Sequence, residues 1–68
     1  MTTANNAHIN NSIYIHANEV ALVMQVSRAY AYKVIKQLNT ELEAKGFLTV
    51  NGRANRKYFY ERLYAGGM

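Results

Sequence analysis

The chain has 68 residues, with eight lysines and arginines against four acidic residues, so its formal net charge at pH 7 is +4. A chain of this length forms one domain at most and buries only about 60% of the surface that its unfolded form exposes. It leaves little room for a substrate cleft and contains no aspartate and no acid–base constellation, so we do not expect an enzyme. It has no cysteine and no metal-ligand spacing around its histidines, so no cofactor and no metal are expected.

The positive charge is concentrated in two segments, residues 27–37 and residues 51–58, which contain no acidic residue. Their positive side chains are Arg28, Lys33, Lys36, Arg53, Arg56 and Lys57. A surface that is merely solvated usually mixes the two signs, so this clustering favours a nucleic-acid-binding surface. No apolar run approaches the ~20 residues of a membrane span, and no signal-peptide pattern occurs. We therefore expect a cytoplasmic protein without membrane contact.

The N-terminal third of the chain predicts an arm, a strand and a short helix. Residues 1–12 are rich in Thr, Ala and Asn, so we expect a disordered arm there. Residues 13–15 alternate β-branched and aromatic side chains and predict a short strand, and residues 17–24 predict a helix. The core face of this helix is predicted to hold Val20, Val23 and Met24. Leu22 points away from that face, either as a single exposed residue or as part of a partner surface.

A long helix is predicted to follow the N-cap residue Ser27 and to end at Lys45 and Gly46. It is separated from the first helix by about three residues, which is helix-turn-helix spacing. Many such turns contain glycine where this chain has Gln25, which must adopt a left-handed conformation unless the turn is shaped differently. At 100° per residue, one apolar stripe of the long helix faces the core. It consists of Ala31, Val34, Ile35, Leu38 and Leu42.

The outward side of the first three turns of this helix is the candidate DNA-reading surface. Its candidate DNA-binding residues are Ser27, Arg28, Ala29, Tyr32, Lys33 and Lys36. An α-helix fits the major groove, and Arg28 is the best candidate for paired hydrogen bonds to a guanine. Lys33 and Lys36 are candidates for phosphate contacts. Ser27 is an N-cap first, and a phosphate bond there would be an addition.

The C-terminal part predicts a β-hairpin. Residues 47–50 and residues 57–60 are strands by composition, and Asn51-Gly52 between them is a turn signal. Such a hairpin would form a wing whose basic loop approaches the DNA backbone. The candidate wing contacts are Gly52, Arg53, Asn55, Arg56 and Lys57. A helical turn after the hairpin is expected to dock Leu63 and Tyr64.

Residues 19–64 resemble the small winged-helix proteins of phages and integrative elements, which include excisionases and short MerR-like regulators. The most specific parts are the run AYKVIKQLNTEL within residues 27–42, the Lys45-Gly46-Phe47 corner and residues 56–64. The resemblance implies that the two helices form the helix-turn-helix and the hairpin forms the wing. It also implies binding near integrase sites and DNA bending that steers recombination toward excision, while many relatives act on promoters. Gln25 and Leu22 depart from the family's pattern.

The expected fold is therefore an α+β winged helix-turn-helix over residues 13–64, with a short N-terminal strand, two main helices and a β-hairpin wing. Residues 65–68 are expected to fray. The expected function is sequence-specific binding of double-stranded DNA, as an excisionase that acts with an integrase or with further copies of itself bound cooperatively. A small transcriptional regulator is the alternative in the same class. A protein-interaction module that docks an acidic partner is the alternative in a different class.

Overall fold

The computed structural model describes residues 12–65, and its elements form an α+β domain. In chain order they are β1 (Tyr14–His16), α1 (Ala17–Met24), α2 (Arg28–Ala44), β2 (Arg53–Asn55) and α3 (Arg56–Tyr64). The predicted α+β class is confirmed, and the arrangement is compatible with a winged helix-turn-helix. The predicted arm and frayed tail lie outside the described residues, except for Ser12 and Ala65. Within the described part of the chain, no helix has the length and apolar character needed to cross a membrane.

The two strands pair with each other across the domain, so the predicted hairpin is wrong in its strands. β1 runs antiparallel to β2, with Ile15 opposite Ala54, and both of these residues are fully buried. Residues 47–49 form no strand, and Val50 makes only an isolated bridge to Arg53. The Asn51-Gly52 turn is confirmed, with Gly52 at a φ of 83°. The wing position is thus occupied by a loop and a tight turn whose exit strand pairs with the N-terminal strand.

Residues 57–60, predicted as a strand, are part of helix α3. The helix begins here because the Asn55 side chain accepts a hydrogen bond from the Tyr58 N–H at 2.8 Å, which satisfies an otherwise unpaired backbone donor. Phe59 and Leu63 then recur at i and i+4 on one face. Phe59 is fully buried, and Leu63 packs against the core as a partly buried residue. Burial of this face therefore prevails over the strand preference of the aromatic residues.

The helix-turn-helix has the predicted form. Gln25 adopts a left-handed conformation with φ 58° and ψ 50°, as its position in the turn requires. Its N–H and that of Val26 both donate to the carbonyl of Ala21. The Ser27 hydroxyl accepts a hydrogen bond from the Tyr30 N–H at 3.1 Å, which confirms Ser27 as the N-cap of α2.

The core lies where α1, α2, the sheet and α3 meet. All five predicted stripe residues of α2 are buried: Ala31, Val34, Ile35, Leu38 and Leu42. On α1 the prediction for Val20 is confirmed, Met24 is partly buried, and the prediction for Val23 is wrong. Val23 is 39% exposed, because the buried stripe runs through Ala17 and Val20 and leaves Val23 at its side. Leu22 is exposed, as predicted.

The C-terminal end of α2 follows from local backbone chemistry. α2 stops where Gly46 takes a φ of 90°, with the Gly46 N–H bonded to the Glu43 carbonyl and the Phe47 N–H to the Leu42 carbonyl. This pair of bonds is the Schellman motif and confirms the predicted stop.

The predicted docking of Tyr64 is wrong. Its side chain is largely exposed and stacks on Tyr60 at 6.1 Å between ring centroids.

Candidate nucleic-acid interface

The outward side of α2 carries a basic face, which we define as Arg28, Ala29, Tyr32, Lys33 and Lys36. All five residues are exposed, because the buried stripe turns the opposite side of the helix to the core. No acid occurs in the first turn of α2 to offset the three cations. Tyr32 is 48% exposed, so its ring is accessible on this face. The face presents cations, an aromatic edge and a small residue over three turns, which suits a groove lined by phosphates.

A groove of about 590 Å³ separates this face from the turn that follows the long helix. Its helix side includes Tyr32 and Lys36, and its turn side includes Asn51 and Gly52. This turn comprises residues 50–53, and the N–H of its last residue, Arg53, donates to the Val50 carbonyl at 3.2 Å. The fold thus brings Gly52 and the backbone of Arg53 beside the basic face.

Two side chains of α2 hold the turn in this place. The Asn39 amide nitrogen donates to the carbonyls of Val50 and Arg53, at 3.0 and 2.9 Å. The Thr49 hydroxyl donates to the Glu43 carboxylate one helical turn further on. Asn39 is only 8% exposed, the one polar residue in the core of the described chain. Sequence reasoning missed it, although its spacing from Ile35 and Leu42 places it at the edge of the apolar stripe.

Arg56 was predicted at the tip of a hairpin loop, and the structure places it at the start of α3 instead. Its guanidinium donates to both carboxylate oxygens of Glu19, at 2.6 and 3.0 Å, and to the Ser12 carbonyl at 2.7 Å. The hydrogen bonds that Arg56 donates to Glu19 raise the pKa of Arg56, although partial burial opposes the increase. Its side chain is only 14% exposed. The residue therefore ties α3 to α1 and to the start of β1.

Two further residues of the predicted wing, Asn55 and Lys57, lie where β2 ends and α3 begins. Asn55 is its N-cap, so its side-chain oxygen is already engaged by the Tyr58 N–H. Lys57 is exposed in the first turn, where it lines a second groove together with Leu42 and Leu48. The predicted wing set is therefore divided. Gly52 and Arg53 belong to the turn beside the basic face, while Asn55, Arg56 and Lys57 belong to the start of α3.

A second internal ion pair links the C-terminal half of α2 to α3. Two Arg62 nitrogens donate to the two Glu41 carboxylate oxygens at 2.9 and 2.8 Å, and the Tyr58 hydroxyl donates to the same carboxylate at 2.6 Å. The hydrogen bonds from Arg62, and then from Tyr58, lower the pKa of Glu41 to about 2. Together with the Arg56 pair, this engages two of the four acidic residues of the chain with internal arginines. Outside these two pairs, three of the six remaining cations lie on α2, namely Arg28, Lys33 and Lys36.

The class that these features define is a small α+β domain in which a short helix, a tight turn and a long basic helix form a helix-turn-helix. Comparison with known proteins points to a particular relative. The chain is similar to the ICEBs1 excisionase of Bacillus subtilis (strain 168), with 25% identity over 48 residues, which cover 71% of this chain and 75% of that protein. This distant similarity supports a relationship to excisionases. No family model and no solved structure matches the chain.

Proposed function

We propose that the protein is a non-catalytic, sequence-specific DNA-binding protein of the excisionase type, which binds and bends double-stranded DNA near an integrase attachment site. The observation that carries the proposal is the exposed basic face of α2, set immediately after a short helix and a tight turn. The similarity to the ICEBs1 excisionase supports the recombination role. An integrase, or further copies of the chain bound cooperatively on DNA, is the partner proposed for this role.

In the proposed complex, the first three turns of α2 lie in the major groove. Arg28 makes paired hydrogen bonds to a guanine, because it stands at the end of the helix that reaches the base edges. Ala29 and Tyr32 contact a thymine methyl group or the sugar–phosphate backbone. Lys33 and Lys36 contact phosphates, and the N-terminal N–H groups of the helix near Ser27 offer a further anion site.

The turn beside the basic face contacts the adjacent stretch of backbone through Gly52 and Arg53. Arg56 is a weaker candidate than the sequence suggested, because its guanidinium is engaged with Glu19 and Ser12. Binding through Arg56 would first have to break a partly buried ion pair. We therefore leave Arg56 out of the phosphate contacts and expect three or four of them.

The salt dependence of binding tests the proposal. With three or four neutralised phosphates, a plot of log K against log salt concentration should have a slope of roughly −3 to −4. Fluorescence anisotropy with a labelled duplex at several salt concentrations measures it. Lys36→Ala should make the slope shallower by about one, whereas the matched variant Lys45→Ala, at the far end of the same helix, should leave it unchanged. A flat salt response, or no binding to any duplex at low salt, would refute DNA binding.

Footprinting on the DNA around the gene separates the excisionase role from its alternative in the same class. Protection next to an attachment site, with bending of that DNA in a circular-permutation gel assay, is expected for an excisionase. Protection confined to a promoter would instead support a small transcriptional regulator. Both results would leave the basic face as the DNA-binding surface.

A further inference from the structure

We propose that Asn39 is a positioning residue for DNA binding: it fixes the turn over residues 50–53 against α2 and thereby sets where Arg53 meets the backbone beside the basic face. The inference rests on the proposed DNA-binding function and concerns a residue that would not itself touch DNA. Asn39 lies at the start of the fourth turn of the helix, directly after the three turns that carry the basic face.

The geometry of the turn supports this role. A side-chain amide has two N–H groups to donate, and the Asn39 nitrogen is bonded to two carbonyls, those of Val50 and Arg53. These carbonyls stand at the first and last residues of the turn. The Val50 carbonyl also accepts the Arg53 N–H that closes the turn. A single side chain of α2 therefore holds both ends of the segment that presents Arg53.

The two hydrogen bonds to the turn require an asparagine at position 39, and not merely a side chain of similar size. Leucine would fill the same buried site but remove the donor to both carbonyls, so that the Val50 carbonyl would keep only its bond from the Arg53 N–H. Aspartate has the same shape as asparagine, but its carboxylate would face two carbonyl oxygens with no proton to donate. Asparagine supplies two donors at a site where the apolar stripe of α2 meets the groove. The residue after the turn is anchored separately, because Ala54 is fully buried in the sheet.

Asn39 could instead contribute only to the stability of the fold, and a double-mutant cycle separates the two roles. The cycle compares the DNA affinities of the wild type, Asn39→Ala, Arg53→Ala and the double variant, at a temperature where all are folded by circular dichroism. If Asn39 acts through Arg53, each single variant should weaken binding by about 5- to 10-fold, and the double variant by little more than Arg53→Ala alone. A residue that only stabilises the fold would show no such dependence on Arg53.

A second variant disturbs the same turn without entering the core. Gly52 has a φ of 83°, a conformation that side chains rarely adopt, and an added Cβ would meet no atom within 4 Å. Gly52→Ala therefore strains the turn but creates no clash, and it should show the same coupling to Arg53 as Asn39→Ala. If Asn39→Ala does not fold, Gly52→Ala still shows whether the placement of the turn that Asn39 holds affects binding through Arg53, and a Gly52→Ala variant without that coupling would overturn the proposal. Arg62→Ala, which breaks the ion pair to Glu41 far from the turn, is the stability control and should leave DNA affinity unchanged below its melting temperature.

The outcomes are distinct. Coupling of both turn variants to Arg53, with no effect of Arg62→Ala, supports the proposal. Additive losses in the cycle, or an Arg53→Ala variant that binds as tightly as the wild type, would overturn the role of Asn39 while leaving binding through α2 intact. Failure of the wild-type protein to bind any duplex would overturn the proposed function itself.

Discussion

Acidification should reveal the contribution of the carboxylate of Glu41 to stability. Its pKa falls from the usual 4.5 to about 2 in the folded protein, because Arg62 and Tyr58 donate hydrogen bonds to the ionised form. A carboxylate with a lower pKa in the folded than in the unfolded state adds stability above pH 4.5, and this stability is lost as the pH falls toward 2.

The size of this contribution follows from the pKa and the exposure of the pair. At 1.36 kcal/mol for each pKa unit, the difference between 4.5 and about 2 sets an upper limit of about 3 kcal/mol. The side chains of Glu41 and Arg62 are 28% and 23% exposed, so solvent screens the pair substantially. We therefore expect a contribution of about 1 kcal/mol at pH 7.

Urea unfolding of the wild type and of Glu41→Gln at pH 7 and pH 3 measures the effect. Glutamine is a neutral isostere, so the variant should be about 1 kcal/mol less stable at pH 7. At pH 3 the difference should shrink to less than half, because the wild-type carboxyl is by then protonated in the unfolded chain. Glu61→Gln, at an exposed position on α3, serves as the control and should change little at either pH. An equal loss for Glu41→Gln at both pH values would refute the reasoning.

Two further predictions distinguish a residue that recognises the DNA sequence from a residue that stabilises the fold. Arg28→Ala should cost about 1–3 kcal/mol of binding free energy and relax the preference for one base pair. Competition with duplexes that carry single base-pair substitutions measures this preference. An unchanged preference would mean that Arg28 does not recognise a base. Arg56→Ala should lower the melting temperature in a thermal unfolding scan, because it leaves the partly buried Glu19 carboxylate without its partner, and it should leave the salt slope of DNA binding unchanged. A shallower slope for Arg56→Ala in the folded protein would assign its guanidinium to the DNA instead.

The helix-turn-helix was predictable because its determinants are local. The N-cap at Ser27, the stop at Gly46 and the spacing of the apolar residues between them all act within a few residues of the chain. The exposure of Arg28, Lys33 and Lys36 follows from the same periodicity, so this part of the candidate site could also be derived from the sequence.

The C-terminal half depends on contacts between distant residues and was predicted less well. The aromatic run over residues 57–60 has the composition of a strand, and only the cap at Asn55 and the burial of Phe59 make it helical. β2 pairs with a strand about forty residues earlier, which no local signal indicates. For the same reason the partner of Arg56 could not be derived, since Glu19 belongs to another helix. Asn39 was missed because polar residues in an apolar stripe are usually assigned to the surface.

The pairing of the first strand with β2 has a consequence for how the protein is made. During synthesis the helix-turn-helix is complete once Ala44 has been added, but its core still lacks Ala54 and Phe59, which come later. Ile15 gains its strand partner only when β2 has been added, and a closed core around it only when α3 follows. A chain interrupted before that point should therefore remain unfolded and should not occupy a DNA site that a complete copy could use. Under the proposed function, α2 would thus bind DNA only when the whole domain is present.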